Sequence, residues 1–313
     1  MRVTVLGGGV SGLACALLLR RAGHEVTVVS ADDPAHTTSW LAAAVWFPTH
    51  AGPADLVERC GAATFAAFAE QAARGVPGVV LRESLMLYCE PPPAEPWQRA
   101  VRGLRAAEPG ELPPGYRHGL RFTVPAVEMP TYLPWLAAEV AAAGVVTVTR
   151  RVETLAQVWT IGRPDLVVNC AGLAAGALAG DPGCYPVRGQ IVRVTNPGVT
   201  MSVRDEHHRL GRAYVHPRAD DCILGGSLDV GRWDTEPDAA LTASILRRCA
   251  DLVPALAGAE PLETLVGLRP GRDTVRLERD ETPEGPVVHD YGHGGSGVTL
   301  AWGCAAEVVA LVG

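Results

Sequence analysis

The sequence contains no lysine: all 27 of its basic residues are arginine. That absence removes several reaction classes at once. There is no phosphate-loop lysine, no amine for a pyridoxal Schiff base, no kinase strand lysine and no Ser-x-x-Lys acylase. Among the eight cysteines no Cys-x-x-Cys occurs, and none pairs with histidine at zinc-like spacing, so no metal site is expected. The cysteines are spread thinly over a long chain and read as buried, reduced thiols. The N-terminus lacks the apolar core and cleavage site of a secretory signal. The longest charge-free run, Pro34 to Ala54, holds three prolines and many polar residues, which is no membrane helix. The end of the chain, Ala-Leu-Val-Gly, is not a peroxisomal Ser-Lys-Leu tail. A cytoplasmic location is the expectation.

What is present is an ordinary globular composition. The chain has 313 residues, 48% hydrophobic and 19% charged, with a net charge of −7. Length suggests about two domains of roughly 150 residues, large enough to fold without staples. The acidic balance argues against a nucleic-acid partner.

The first thirty residues read strand, turn, helix, turn, strand. Val3 to Leu6 is a short apolar strand, Leu13 to Arg21 a helical run closed by Gly23, and Glu25 to Val29 a β-branched strand. Between the first two lies Gly7-Gly8-Gly9-Val10-Ser11-Gly12, a G-x-G-x-x-G in the strand-to-helix context that gives it meaning. The first glycine permits the tight turn, the second lets backbone approach a pyrophosphate, and the third lets the helix pack on the strand. The helix N-terminus presents free N–H groups to the phosphates. The usual ribose-binding acid at the end of the second strand is replaced by Ser30, and the nearest acids are Asp32 and Asp33. Asp32 is the candidate for the adenosine ribose. Further on, Thr131 to Ala143 reads as a helix, Val145 to Thr149 and Asp165 to Asn169 as strands. Several strands follow between Val187 and Leu228, then helices over Ala239 to Leu256 and Ser296 to Val312.

Nine segments, in order along the chain, together resemble the D-amino-acid oxidase family of FAD enzymes, which includes D-aspartate oxidase. They are GGGVSGL at the N-terminus, TTSWLAAAVWFP (37–48), YLPWL (132–136), VVNCAGL (167–173), PVRGQ (186–190), AYVHP (213–217), ILGGS (223–227), GLRPGRDTVRLE (267–278) and YGHGGSGVTLAWGCA (291–305). The resemblance implies an α/β fold: a discontinuous, Rossmann-like FAD-binding domain (1–50, 145–182 and 286–313) and an α+β substrate domain with a mixed sheet (51–144 and 183–285). It also implies oxidation of a D-amino acid by hydride transfer from Cα to flavin N5, with oxygen reduced to hydrogen peroxide. The imino product hydrolyses to a 2-oxo acid and ammonia. Partners are then a small D-amino acid and molecular oxygen, with homodimerisation left open.

Carried over by position, Thr37, Thr38 and Ser39 resemble the hydroxyl run near the FAD pyrophosphate. Ala43, Ala44 and Val45 resemble the stretch against the isoalloxazine ring, where small residues let backbone approach a flat surface. Val152 resembles a contact on the adenine side. Gly294, Gly295, Ser296, Gly297, Val298 and Thr299 resemble the loop at the flavin pyrimidine edge, where a helix start can stabilise negative charge. Arg276 resembles the arginine that forks onto the substrate carboxylate, a role suited to a planar guanidinium. The same segment also holds Arg269, Arg272 and Arg279. Tyr214 resembles a tyrosine that meets the same carboxylate, and Gly295 would offer its carbonyl to the amine. Leu228 stands where D-aspartate oxidases carry an arginine, which favours neutral or apolar side chains, although Arg204, Arg209 or Arg212 could reach an acidic one. The alternatives are a D-aspartate oxidase, a glycine or sarcosine-type amine oxidase and, outside enzymes, a flavin-binding sensor. His207, His208 and His216 read as no metal site, and His293 either tunes the flavin loop or hydrogen-bonds its turn.

Overall fold

The computed structural model describes residues 1–313. Two sheets divide the chain. The first has six strands, and five of them run parallel: Gly285–Tyr291, Leu166–Asn169, Arg2–Leu6, Glu25–Ser30 and Val146–Thr149, in that spatial order. Arg276–Thr282 closes one edge antiparallel to Gly285–Tyr291. The strand order reverses at Arg2–Leu6, so a crevice opens at the carboxyl ends of the strands there, the usual ligand position in doubly wound sheets. The buried runs of the central strands Arg2–Leu6 and Leu166–Asn169 reflect burial on both faces. One face is covered by the helices Val10–Arg21, Met129–Ala142 and Gly297–Val312, which share one core of 31 buried residues with the sheet. The helical stretch Gly294–Val312 is long and apolar enough to cross a membrane, yet it is a core element of this fold.

The second sheet has nine strands and is mostly antiparallel, with Val79–Tyr88 parallel to Ser202–Asp205. Its two faces follow the period-two alternation of extended chain. Val192, Val194, Val215, Cys222 and Leu224 point to one side, where the helix Ala239–Leu252 covers them with Ile245 and Cys249. Gly189, Ile191, Tyr214 and His216 point to the other, toward the crevice of the first sheet.

The expected boundaries need correction. Arg276–Thr282 was expected on the substrate side but is hydrogen-bonded into the first sheet. Met129–Ala142, expected there too, packs on Val10–Arg21 through Tyr132, Leu133 and Leu136. The helix expected to reach Leu256 stops at Leu252: Pro254 disfavours helical geometry at Val253, which is non-helical at φ −134° and ψ 88°. The region after residue 50, where the sequence suggested no long element, holds the helix Ala54–Ala73. Its Cys60, Thr64, Phe65, Phe68 and Ala69 form the buried stripe.

Candidate active site

A cleft of about 460 Å³ lies between the carboxyl ends of the first sheet and the open face of the second. Its first end is the glycine-rich turn. A Cβ on Gly7 would lie 2.3 Å from the Cys170 carbonyl oxygen, and one on Gly12 2.0 Å from the Gly7 carbonyl oxygen. A Cβ on Gly8 would lie 2.5 Å from Ser30 Oγ. Side chains at these positions would therefore collide with the neighbours that shape the turn, the close approach a pyrophosphate-binding turn requires. Gly7, Gly8, Gly9, Val10 and Ser11 line the cleft, whereas Gly12 sits behind it, packing helix on strand. Ser39 Oγ accepts the Val10 N–H at 3.1 Å, and Thr37 and Thr38 line the same end. Thr38 also donates to the Leu268 carbonyl at 3.0 Å, joining this end to the second sheet.

Asp32 lines the cleft beside Arg151 and Val152, with its carboxylate 3.3 Å from the Arg151 guanidinium. Asp33 does not: its carboxylate accepts the Ala35 N–H and caps the turn Pro34–His36. The expectation for Asp33 is corrected accordingly.

The middle of the cleft is walled by Ala43, Ala44 and Val45 on one side and by Gly294, Gly295, Gly297, Val298 and Thr299 on the other. Ser296 was expected here but does not line the cleft. It is wholly buried, and its hydroxyl donates to the Thr49 carbonyl at 2.7 Å and accepts the Thr49 N–H at 2.8 Å. Thr299 makes the same reciprocal pair with Phe47. These hydroxyls bolt the start of the last helix to the segment 47–49 and fix the width of the cleft. His293 is buried with its Nε2 3.0 Å from Asp290 Oδ1, so it serves the turn, and it also borders the cleft.

At the far end the second sheet supplies Tyr214 and an arginine, and that arginine is Arg269. Leu265, Gly267 and Arg269, at every second position, lie on the cleft face of the strand Pro261–Gly271. Glycines in neighbouring strands make room for both groups. A Cβ on Gly189 would lie 2.2 Å from the Arg269 guanidinium, and one on Gly225 1.9 Å from the Tyr214 ring. Arg269 donates to the Ser227 carbonyl at 3.1 Å and meets no carboxylate of the chain. Tyr214 stacks on His216, ring centroids 4.8 Å apart, and burial holds its hydroxyl in the protonated form at neutral pH.

Arg276 is elsewhere. It lies at the edge of the first sheet, where its guanidinium pairs with Glu278 and Asp280 and donates to the Tyr291 hydroxyl at 2.9 Å. It does not border the cleft, and its charge is already satisfied. The expectation that Arg276 meets the substrate is corrected: the free guanidinium belongs to Arg269, seven residues earlier and in the other sheet.

Two further arginines approach the same end. Arg204 lies over the Phe47 ring at 4.2 Å, and its Nε and Nη1 have no hydrogen-bond partner. Arg212 pairs with Glu206 at 3.1 Å, and Arg204 is 3.8 Å from the same carboxylate. Five arginines and three acidic residues line the whole cleft, so a chain of net charge −7 presents a cationic cleft. A glycine cradle at a helix N-terminus, an acid beside the second strand and a wall of small residues fit FAD. The turn would hold its pyrophosphate, the Asp32 side its ribose, and the 43–45 and 294–299 walls its ring system.

The whole chain finds relatives. Residues 2–311 match the family described as FAD dependent oxidoreductase. A D-amino-acid oxidase of Rubrobacter xylanophilus is 50% identical over 100% of this chain and 96% of its own length. A D-aspartate oxidase of Homo sapiens is 37% identical over 99% of this chain and 94% of its own. In fold, the chain superimposes on glycine oxidase from Geobacillus kaustophilus with a TM-score of 0.80 at 22% identity, covering 99% of this chain and 94% of that one. On its glycine cradle, its two-sheet architecture and these matches, the chain belongs to the FAD-dependent oxidoreductase family and uses FAD as its cofactor.

Proposed function

We propose that this protein oxidises D-amino acids with neutral or apolar side chains to imino acids, which hydrolyse to 2-oxo acids and ammonia while oxygen is reduced to hydrogen peroxide. The observation that carries the reading is Arg269, a guanidinium facing the cleft beside Tyr214 with no carboxylate of its own. Bound FAD supplies the hydride acceptor and its reoxidation by oxygen. The chain's part is to hold the substrate. Arg269 takes the α-carboxylate through two parallel N–H bonds, and the Tyr214 hydroxyl donates a third. Gly295, on the opposite wall, offers its carbonyl to the neutral amine. With carboxylate, amine and side chain each assigned a direction, only one enantiomer turns its Cα–H to the ring wall, and rate enhancement comes chiefly from orientation. No side chain here needs to act as the base.

The preference for neutral side chains is supported by Leu228 and Phe47 on the cleft wall and by Glu206, which offsets the charges of Arg204 and Arg212. One observation favours a second reading: the unpartnered nitrogens of Arg204 suit a carboxylate side chain, as in a D-aspartate oxidase. Peroxide production separates the two. With D-alanine, D-valine, D-aspartate, L-alanine and glycine as substrates, the proposal expects the highest kcat/KM for D-valine or D-alanine and none for L-alanine. A highest kcat/KM for D-aspartate, lost in Arg204→Leu, establishes the second reading. Turnover of glycine alone overturns both.

A further inference from the structure

Behind the glycine-rich turn, the structure gathers soft ligand atoms that the reaction does not use. Cys15 lies in the first helix, Cys170 directly follows the strand Leu166–Asn169, and Asp290 lies near the end of Gly285–Tyr291. All three are buried, Asp290 to 1% exposure. Their atoms form a nearly equilateral triangle: Cys15 Sγ to Cys170 Sγ is 3.8 Å, Cys15 Sγ to Asp290 Oδ2 is 3.6 Å, and Cys170 Sγ to Asp290 Oδ2 is 3.7 Å. No arginine compensates this buried carboxylate. Its other oxygen faces His293 Nε2 at 3.0 Å. His293 and Cys304 form a second group with Asp290, ligand atoms all within 4.8 Å of one another.

The triangle has the dimensions of a tetrahedral face. An ion with metal–sulfur bonds of about 2.3 Å and metal–oxygen bonds of about 2.0 Å separates its ligands by about 3.8 Å for two sulfurs and about 3.5 Å for sulfur and oxygen. His293 and Cys304 share only Asp290 with the triangle, so the triangle itself supplies three ligands. Thiolate with carboxylate or imidazole is the donor set of zinc and its heavier congener cadmium, and not of magnesium or calcium. The spacing along the sequence conceals the site, since its ligands come from three elements 155 and 275 residues apart.

We propose that Cys15, Cys170 and Asp290 form a three-ligand binding site for one thiophilic divalent cation of the zinc class. On binding, two S–H bonds break, two metal–sulfur bonds form and two protons leave to solvent, with no change of oxidation state. The ion would tie the first helix to two parallel strands where they meet the cofactor turn, because the Cys170 backbone is what Gly7 packs against. The inference concerns the metal alone and does not depend on the substrate assignment.

The test uses the FAD-loaded protein in a Cys89→Ser background, which removes the exposed thiol. Cadmium chloride is titrated while the thiolate-to-cadmium ultraviolet band and released protons are followed. The proposal expects saturation at one ion per chain with two protons released. It expects at least tenfold weaker binding in Asp290→Asn and Cys15→Ser, and unchanged binding in Cys222→Ala, which alters a buried thiol under the other sheet. Cys15→Ser keeps the side-chain size, so a folded, yellow variant is available for comparison. Absence of the band, or a band of full strength in both Cys15→Ser and Asp290→Asn, overturns the site.

Discussion

Arg269 and Arg276 carry the same side chain into opposite circumstances. Arg276 is held by Glu278, Asp280 and Tyr291, whereas Arg269 is braced only by the Ser227 carbonyl and faces the cleft. Removing one partner of a desolvated charge pair costs about 3–5 kcal/mol. Arg269→Ala is therefore predicted to lower kcat/KM by a hundredfold or more, mainly through KM, with little change in melting temperature. Arg276→Ala is predicted to do the reverse, leaving KM near wild type and lowering the melting temperature. Steady-state kinetics beside thermal denaturation of both variants checks this, and a KM effect confined to Arg276→Ala would reverse the assignment. Tyr214→Phe removes one hydrogen bond, worth about 0.5–1.5 kcal/mol. A two- to tenfold rise in KM with unaltered flavin content is the expected result.

At the scale of elements, the glycine-rich turn separates two jobs within six residues. A methyl on Gly8 meets Ser30, a side chain at the edge of the cleft, while one on Gly12 meets the Gly7 backbone, which cannot retreat. Gly8→Ala is predicted to fold but lose FAD on gel filtration. Gly12→Ala should fail to give soluble protein, although alanine is the better helix former by about 1 kcal/mol. The N-terminal β–α–β unit was legible in the sequence because its signals are local: β-branched strands, a glycine turn and a glycine stop. The choice between Arg269 and Arg276 was not local. The chain leaves the second sheet at Gly271 and enters the first at Arg276, so one arginine-rich run is divided between two sheets by pairings with distant strands. The alternation of Leu265, Gly267 and Arg269 onto one face was the available signal. Asp33 was misread because, in a turn, a short polar side chain serves its own backbone as readily as a ligand, and Ser296 because its hydroxyl is taken by the Thr49 backbone, 247 residues away in sequence. The helix Ala54–Ala73 was missed because alanine supplies much of its length and mutes the apolar stripe.

Across the whole molecule, two buried histidines link stability to acid. Burial, aided by Arg276, pushes the His289 imidazole down to about 4, and burial also holds His216 well below its usual value. Both are neutral in the folded protein, while the unfolded chain takes up their protons near pH 6.5. Stability from this source is complete above about pH 6.5 and falls as pH drops toward 4, by about 3 kcal/mol for His289. Melting temperatures measured from pH 7.5 to 4.5 should decline through that window. His289→Gln should flatten the decline, and an unchanged slope in that variant would assign the acid sensitivity to other groups. FAD stabilises the same fold by mass action, about 2.7 kcal/mol at a hundredfold excess over its Kd, so stripping it is predicted to lower the melting temperature by several degrees.

Whether Arg269 and Tyr214 hold a D-amino acid against the flavin wall is best measured without oxygen. The FAD-loaded protein is mixed anaerobically with D-alanine or L-alanine, and the oxidised-flavin absorbance is followed. Bleaching by D-alanine is expected, none by L-alanine, and bleaching by D-alanine in Arg269→Ala only at concentrations a hundredfold higher or more. Equal bleaching by both enantiomers, or an Arg269→Ala protein that responds like wild type, would contradict that role.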